Sequence, residues 1–204
     1  NDAPALAQST VGIAMGAESK AFGVDVLLGP AFNIKRDPLN GRNFEYLTED
    51  PYLNGRLAAS IVKGIQSEGV GVSIKHYAVN NQETNRMSIN EVVSERALRE
   101  IYLSAFEYVV KNSDPWTVMS SYPKINGTHG AQNKYLLTDI LKNEWKFNGF
   151  VMSDWFAVKD AVAAVNAGND LIMPGGPKWG GQGDTSDDVL AGLKNGTIKE
   201  ADID

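Results

Sequence analysis

Gly149-Phe150-Val151-Met152-Ser153-Asp154-Trp155 is a short apolar run that ends on a carboxylate and is followed at once by an indole. A buried strand loses its ladder partners at its tip. An Asp placed there puts a charge at the edge of a β/α layer, where barrel enzymes keep their chemistry. The same Asp154 has a plainer use as the cap of a helix beginning near Phe156. Taken alone, the stretch divides evenly between chemistry and capping, and the residues on either side tip it toward chemistry.

Outward from this strand, helical patterns and strand-like runs alternate. Residues 3–22 read as a helix, with Asn1 or Asp2 as cap and Pro4 in the first turn. Val24 to Leu28 reads as a strand opening into a long loop from Gly29 to Asp50. Asp50-Pro51 starts a helix whose apolar stripe is Leu57, Ala58, Ile61, Val62 and Ile65. Gly69 to Ile74 is a second strand, ending at Lys75-His76. After a polar loop, Ser94 caps a helix with Leu98, Ile101, Tyr102, Ala105 and Val109 on one face. Thr117 to Tyr122 is a third strand, Asn133 to Trp145 a helix, Phe150 to Ser153 the fourth strand, Ala157 to Ala167 a helix, and Asp170 to Met173 a fifth strand. A last helix runs from Ser186 to Asn195, with Gly196 as its stop. The glycine-rich stretch Gly175–Gly183 lacks the Lys-Ser/Thr of a phosphate loop and reads as loop only.

Strands separated by helices imply a parallel sheet with right-handed crossovers. Their apolar faces suit a sheet covered by helices. The fold class is therefore α/β, a (β/α) TIM-type barrel. Such barrels take about 250 residues, so a chain of 204 is expected to form an incomplete one.

Composition narrows the function. At 43% hydrophobic and 22% charged the chain is globular, and a net charge of −6 with interspersed signs argues against nucleic acid. No apolar run reaches membrane-spanning length. The chain starts abruptly on Asn1-Asp2 without a leader and reads as an internal piece, leaving cytoplasmic and secreted locations both open. There is no Cys, so no thiolate metal site, and with only two His, His76 and His129, no metal is expected.

In a β/α barrel the loops after the strands share one face. That face would collect Lys35-Arg36-Asp37-Pro38, Gly41-Arg42-Asn43-Phe44-Glu45 and Glu49-Asp50, then Lys75, His76, Asn80, Asn81, Glu83 and Arg86, then Met119, Tyr122 and Asn126, then Asp154 and Trp155. Carboxylates, cations, amides and aromatics together suit a sugar, which offers vicinal hydroxyls and a ring face. Each has a plainer reading. Arg42 with Glu45 is also a loop ion pair, His76 a core histidine, and Tyr122 and Trp155 core aromatics. Their joint occurrence at strand ends favours the site.

The segments Leu28 to Pro38, Gly41 to Glu45, Glu49-Asp50-Pro51-Tyr52, Lys75-His76-Tyr77, Val118 to Tyr122 and Val151 to Trp155 resemble glycoside hydrolase family 3, in its β-glucosidase-like branch. The resemblance extends over nearly the whole chain, in order and at the family's spacings. It implies that Asp154 is the nucleophile, that Arg42, Lys75, His76 and Tyr122 line the glycone subsite, and that Met119 and Trp155 form its apolar walls, with Glu45, Glu83 and Arg86 behind them. It also implies a retaining exo-β-glycosidase that removes terminal glucosyl residues from β-glucosides and cello-oligosaccharides without cofactor or metal. The alternatives are a β-xylosidase or other exo-glycosidase of the family, or a non-catalytic sugar-binding barrel fragment. Two departures stand out. The family's opening barrel strand, with its Asp-Gly-Pro-like motif, is missing. So is the C-terminal α/β sandwich domain that carries the acid/base Glu. Residues 1–204 are thus expected to be a partial catalytic barrel that works with the remaining segments of one enzyme, with homo-oligomers left open. In the hexosaminidase branch the acid/base sits in a His-containing loop after the Lys-His strand. Here Asn80 to Arg86 holds no His, which disfavours that branch.

Overall fold

The computed structural model describes residues 3–177 and 183–203. In chain order it contains helix α1 (Ala3–Ala21), strand β1 (Val26–Leu27), α2 (Pro51–Ser67), β2 (Gly71–Tyr77), β3 (Asn90–Glu91), α3 (Glu95–Ala97), α4 (Ser104–Ser113), β4 (Thr117–Ser120), β5 (Lys124–Ile125), β6 (Thr128–His129), β7 (Phe150–Ser153), α5 (Ala161–Asn166) and α6 (Thr185–Asn195). The proposed cap at Asn1 or Asp2, and residues 178–182 of the glycine-rich stretch, lie outside the described residues.

The main sheet has the order β1-β2-β4-β7, with every pair parallel. This is the α/β arrangement that the alternating pattern predicts. Its core face is covered by helices. Ile74, Val118 and Val151 of the strands pack with Ala58, Val62 and Ile65 of α2, with Phe106 and Val109 of α4, and with Leu137 and Ile140 of a π-helix (Tyr135–Glu144). Tyr77 stands at the centre of this core. Its ring meets Phe106 and Trp145 edge-on, and its hydroxyl donates to the Leu136 carbonyl at 3.0 Å. An interior hydroxyl needs such an acceptor.

Two helix starts form as their sequences require. Asp50 Oδ1 accepts the Leu53 N–H at 2.7 Å, and Ser94 Oγ accepts that of Ala97 at 3.3 Å. The expected single helix after Ser94 is instead three pieces, because a π-helical turn (Leu98–Tyr102) separates α3 from α4. There the Leu103 N–H reaches back five residues to the Leu98 carbonyl. The inserted residue leaves Leu98, Tyr102, Ala105 and Val109 buried but turns Ile101 outward, 41% exposed.

Three further expectations are corrected. Asp170–Met173 does not form a strand. Only Leu171 bridges Met152, since Asp170 turns its carboxylate onto the Val151 N–H and Lys142. The helix expected from Ala157 begins at Ala161, capped by Asp160, because Phe156 takes a positive φ of 61° and ends any helical path there. Asp154 is therefore no helix cap. A small sheet of order β3-β5-β6, unforeseen in the sequence, folds beside the strand tips.

Gly149 explains how β7 enters the sheet. A Cβ there would lie 2.1 Å from the Trp116 carbonyl oxygen and 2.6 Å from the Phe147 ring. Gly149→Ala must push the strand away from rigid backbone. A loss of about 1–3 kcal/mol is expected, read as a lower Tm of the full-length protein with near-normal kinetics below the transition.

Candidate active site

The strand tips meet as the alternation predicts. Past β1 the chain continues alongside β2, with Lys75 N–H on the Pro30 carbonyl and Phe32 N–H on the Lys75 carbonyl, at 3.1 and 3.0 Å. Asp154 N–H bonds the Ser120 carbonyl at 3.2 Å, and Phe156 N–H bonds that of Met173 at 2.9 Å. Lys75, His76, Tyr122 and Asp154 thus share one end of the sheet.

Asp154 is buried. Its Oδ1 accepts the Trp155 N–H at 2.7 Å, and its Oδ2, 3.6 Å from His76 Nε2, accepts no hydrogen bond from the described residues. Burial raises its carboxyl above the usual aspartate value, opposed by the Trp155 N–H, Arg42, the Tyr122 hydroxyl and Arg86. His76 is 1% exposed. Burial, and then the charges of Arg42, Lys75 and Arg86, hold its imidazole well below the ordinary histidine value, so it is neutral at pH 7. Its Nδ1 has no partner among the described residues.

The cations stand in pairs with the acids. Arg42 Nε donates to Glu45 Oε1 at 2.5 Å, and Lys75 Nζ lies 3.8 Å from Glu45 Oε2. Burial lowers the Lys75 ammonium below its usual value, and Glu45 opposes this most. Arg86 bonds Glu83 at 2.7 Å and lies over the Tyr122 ring, 4.7 Å from its centroid. Glu83 also accepts from Asn80 at 3.1 Å. The Tyr122 hydroxyl donates to the Trp155 carbonyl at 2.7 Å, and burial followed by the Asp154 charge pushes it up to about 12. Met119 is buried beside Met152 in register, whereas Trp155, expected as a wall, is 48% exposed. Its ring meets Phe156 edge-on.

Arg42, Glu45, Lys75, His76, Glu83, Arg86, Met119, Tyr122, Asp154 and Trp155 are therefore gathered at one end of the sheet or next to it. Sequence reasoning placed Asn80 and Asn81 on this face but missed Asn33 and Asn54 beneath it. Asn33 clamps the His76 backbone in both directions, Nδ2 to the carbonyl and Oδ1 from the N–H, each at 2.9 Å. Asn54 bonds the Phe32 carbonyl, and Asn81 bonds that of Ile34 at 2.6 Å. Tyr46 donates to the Asn80 carbonyl at 3.1 Å and sets its ring edge-on to His76. Among the described residues no group of His, Asp and Glu is placed to hold a metal ion, and no helix is long and apolar enough to cross a membrane.

The arrangement offers a buried carboxylate at a strand tip with one oxygen unengaged, and cations and hydroxyls around it. This is a nucleophile or base inside a shell of hydrogen-bond donors. Residues 2–204 match the family model described as the glycosyl hydrolase family 3 N terminal domain. The chain is 52% identical over 190 residues to thermostable beta-glucosidase B of Acetivibrio thermocellus, covering 93% of this chain and 24% of that protein. It is 53% identical over 194 residues to an exo-alpha-(1->6)-L-arabinopyranosidase of Bifidobacterium longum, covering 95% and 25%. The structure of beta-glucosidase 3B from Thermotoga neapolitana in complex with alpha-D-glucose superposes with a TM-score of 0.95 at 53% identity, covering 98% of this chain and 28% of that one. The chain spans about a quarter of the length of these relatives.

Proposed function

The chain belongs to glycosyl hydrolase family 3 and has its α/β, TIM-type barrel fold, and from that premise we propose that it is the catalytic barrel segment of a retaining exo-β-glycosidase, a β-glucosidase. The observation that carries the reading is Asp154, a buried carboxylate whose Oδ2 is unengaged at the centre of the donor shell. Asp154 attacks the anomeric carbon and forms a glycosyl-enzyme. A second carboxyl group, supplied by another segment of the longer enzyme, protonates the leaving oxygen and then activates water. Neither Glu45 nor Glu83 suits that second role, since both are committed to cations. Arg42, Lys75, His76 and Tyr122 bind hydroxyls of the terminal sugar. Met119 and Trp155 supply its apolar contacts. Lys75 beside Asp154 favours the ionised carboxylate that a nucleophile requires.

A second reading, another exo-glycosidase of the family, is favoured by the arabinopyranosidase relative at 53% identity. That sugar, a pentopyranose, lacks the hydroxymethyl group of glucose. The test is turnover of aryl β-D-glucopyranoside, β-D-xylopyranoside and α-L-arabinopyranoside by the full-length enzyme. The glucoside is expected to have the highest kcat/KM, and activity on none of them would sink both readings.

The same assay run against pH checks the electrostatics. Attack needs ionised Asp154, and burial raises its carboxyl. The acid limb of kcat/KM is expected above the ordinary aspartate value of about 3.9, with activity lost as pH falls through it. An acid limb at or below that value would show that Asp154 is not the controlling group.

A further inference from the structure

We propose that Glu45 is a positioning residue that joins Arg42 and Lys75 into one two-headed donor for the sugar hydroxyls, an assignment resting on the glycosidase reading above. The backbone prepares it. The Glu45 N–H bonds the Arg42 carbonyl at 3.1 Å in a tight turn that sets the two side chains together. Oε1 takes Arg42 Nε and Oε2 faces Lys75 Nζ, so each carboxylate oxygen serves a different cation. The three side chains are 21%, 18% and 17% exposed, so water screens the pairs only in part. The guanidinium keeps its Nη donors for a ligand, and the ammonium has three N–H donors.

The arrangement also solves an electrostatic problem. Arg42 and Lys75 repel one another, and Lys75 lies among Arg42 and Glu45 from the loop after β1, neutral His76 on its own strand, and Asp154 from the tip of β7. Burial and Arg42 both favour loss of the Lys75 proton, and Glu45 is the largest opposing influence. Without the Glu45 charge, Lys75 would release its proton at lower pH and would cease to favour ionised Asp154.

The experiment is Glu45→Gln in the full-length enzyme, with an aryl β-glucoside as probe. The amide keeps the shape and removes the charge. At neutral pH kcat/KM is expected to fall about 10-fold, with kcat falling as well as KM rising. The alkaline limb of kcat/KM belongs to the second carboxyl group acting as acid, so it does not read the Lys75 proton. A Glu45→Gln enzyme with kcat/KM within twofold of wild type overturns the proposal, whatever its Tm. Competitive chemical labelling of Lys75 against pH, read by peptide mass spectrometry, follows the Lys75 proton directly and without turnover. It should report an earlier loss of the proton in Glu45→Gln, and identical curves would overturn the assignment. An inactive wild-type enzyme would sink the glycosidase reading, while the labelling would still decide the role of Glu45.

Discussion

Asp154→Asn in the full-length enzyme is expected to abolish turnover, by on the order of 10⁴-fold or more in kcat, while leaving the fold intact. Asparagine keeps the shape and the Oδ1 acceptor for the Trp155 N–H, and it cannot form the glycosyl ester. The stability sign follows from the raised carboxyl. A group whose pKa is higher in the folded state than in the unfolded chain loses its contribution as pH rises through the folded value. Asp154 is such a group because its burial disfavours the charge. Neutral Asn escapes that penalty, so at pH 7 the variant should melt at or above the wild-type Tm. A fluorinated glycoside that stalls deglycosylation should label Asp154. Recovery of the label on Glu45 or Glu83 would reassign the nucleophile, and a product of inverted configuration would remove the double displacement altogether.

Lys75→Ala should lower kcat/KM by about 10–100-fold, the range for losing a hydrogen bond involving a charged group, and His76→Ala, which removes a neutral donor, by about 2–10-fold. Bonds to hydroxyls near the reacting carbon strengthen as positive charge develops on the sugar, so kcat should fall as well as KM rise. The two variants should differ in stability. Lys75 is partly solvated, so its truncation should cost little. His76 is almost fully buried and its backbone is clamped by Asn33. Its truncation leaves a cavity and should also lower Tm. Kinetics and melting measured on the same proteins separate the roles. Near-normal kcat/KM in both variants, with lowered Tm, would make these residues structural and remove them from the site.

Much of this was legible in the sequence. The run from Phe150 to Ser153 is a strand, and Asp154 stands at its tip beside His76. Asp50 and Ser94 cap helices, and Gly196 stops one in the left-handed conformation with a φ of 79°. These signals are local, since a cap or a strand end is determined by a few neighbouring residues. What escaped depends on partners distant in the chain. Asn33 reads as an ordinary loop amide until it meets His76, 43 residues away. The strands β3, β5 and β6 are two residues each, too short to show a period. Asp170 looks like the start of a strand, yet its side chain takes a neighbouring strand's donor and an ammonium ion. The candidate residues were visible by type and spacing. The pairing of Glu45 with two cations was visible only in part, because the sequence suggests Arg42 and is silent on Lys75.

The amide clamps have a consequence for how the site withstands its medium. Asn33, Asn54 and Asn81 fix the backbone under His76 and beside Lys75 with dipoles that carry no net charge. Dissolved ions weaken attraction between charges by crowding around them, and they have far less hold on a buried neutral bond. The foundation is therefore indifferent to brine. Ionic strength acts chiefly on the layer above it, where Glu45 meets Arg42 and Lys75, and even there most of each side chain is out of the ions' reach.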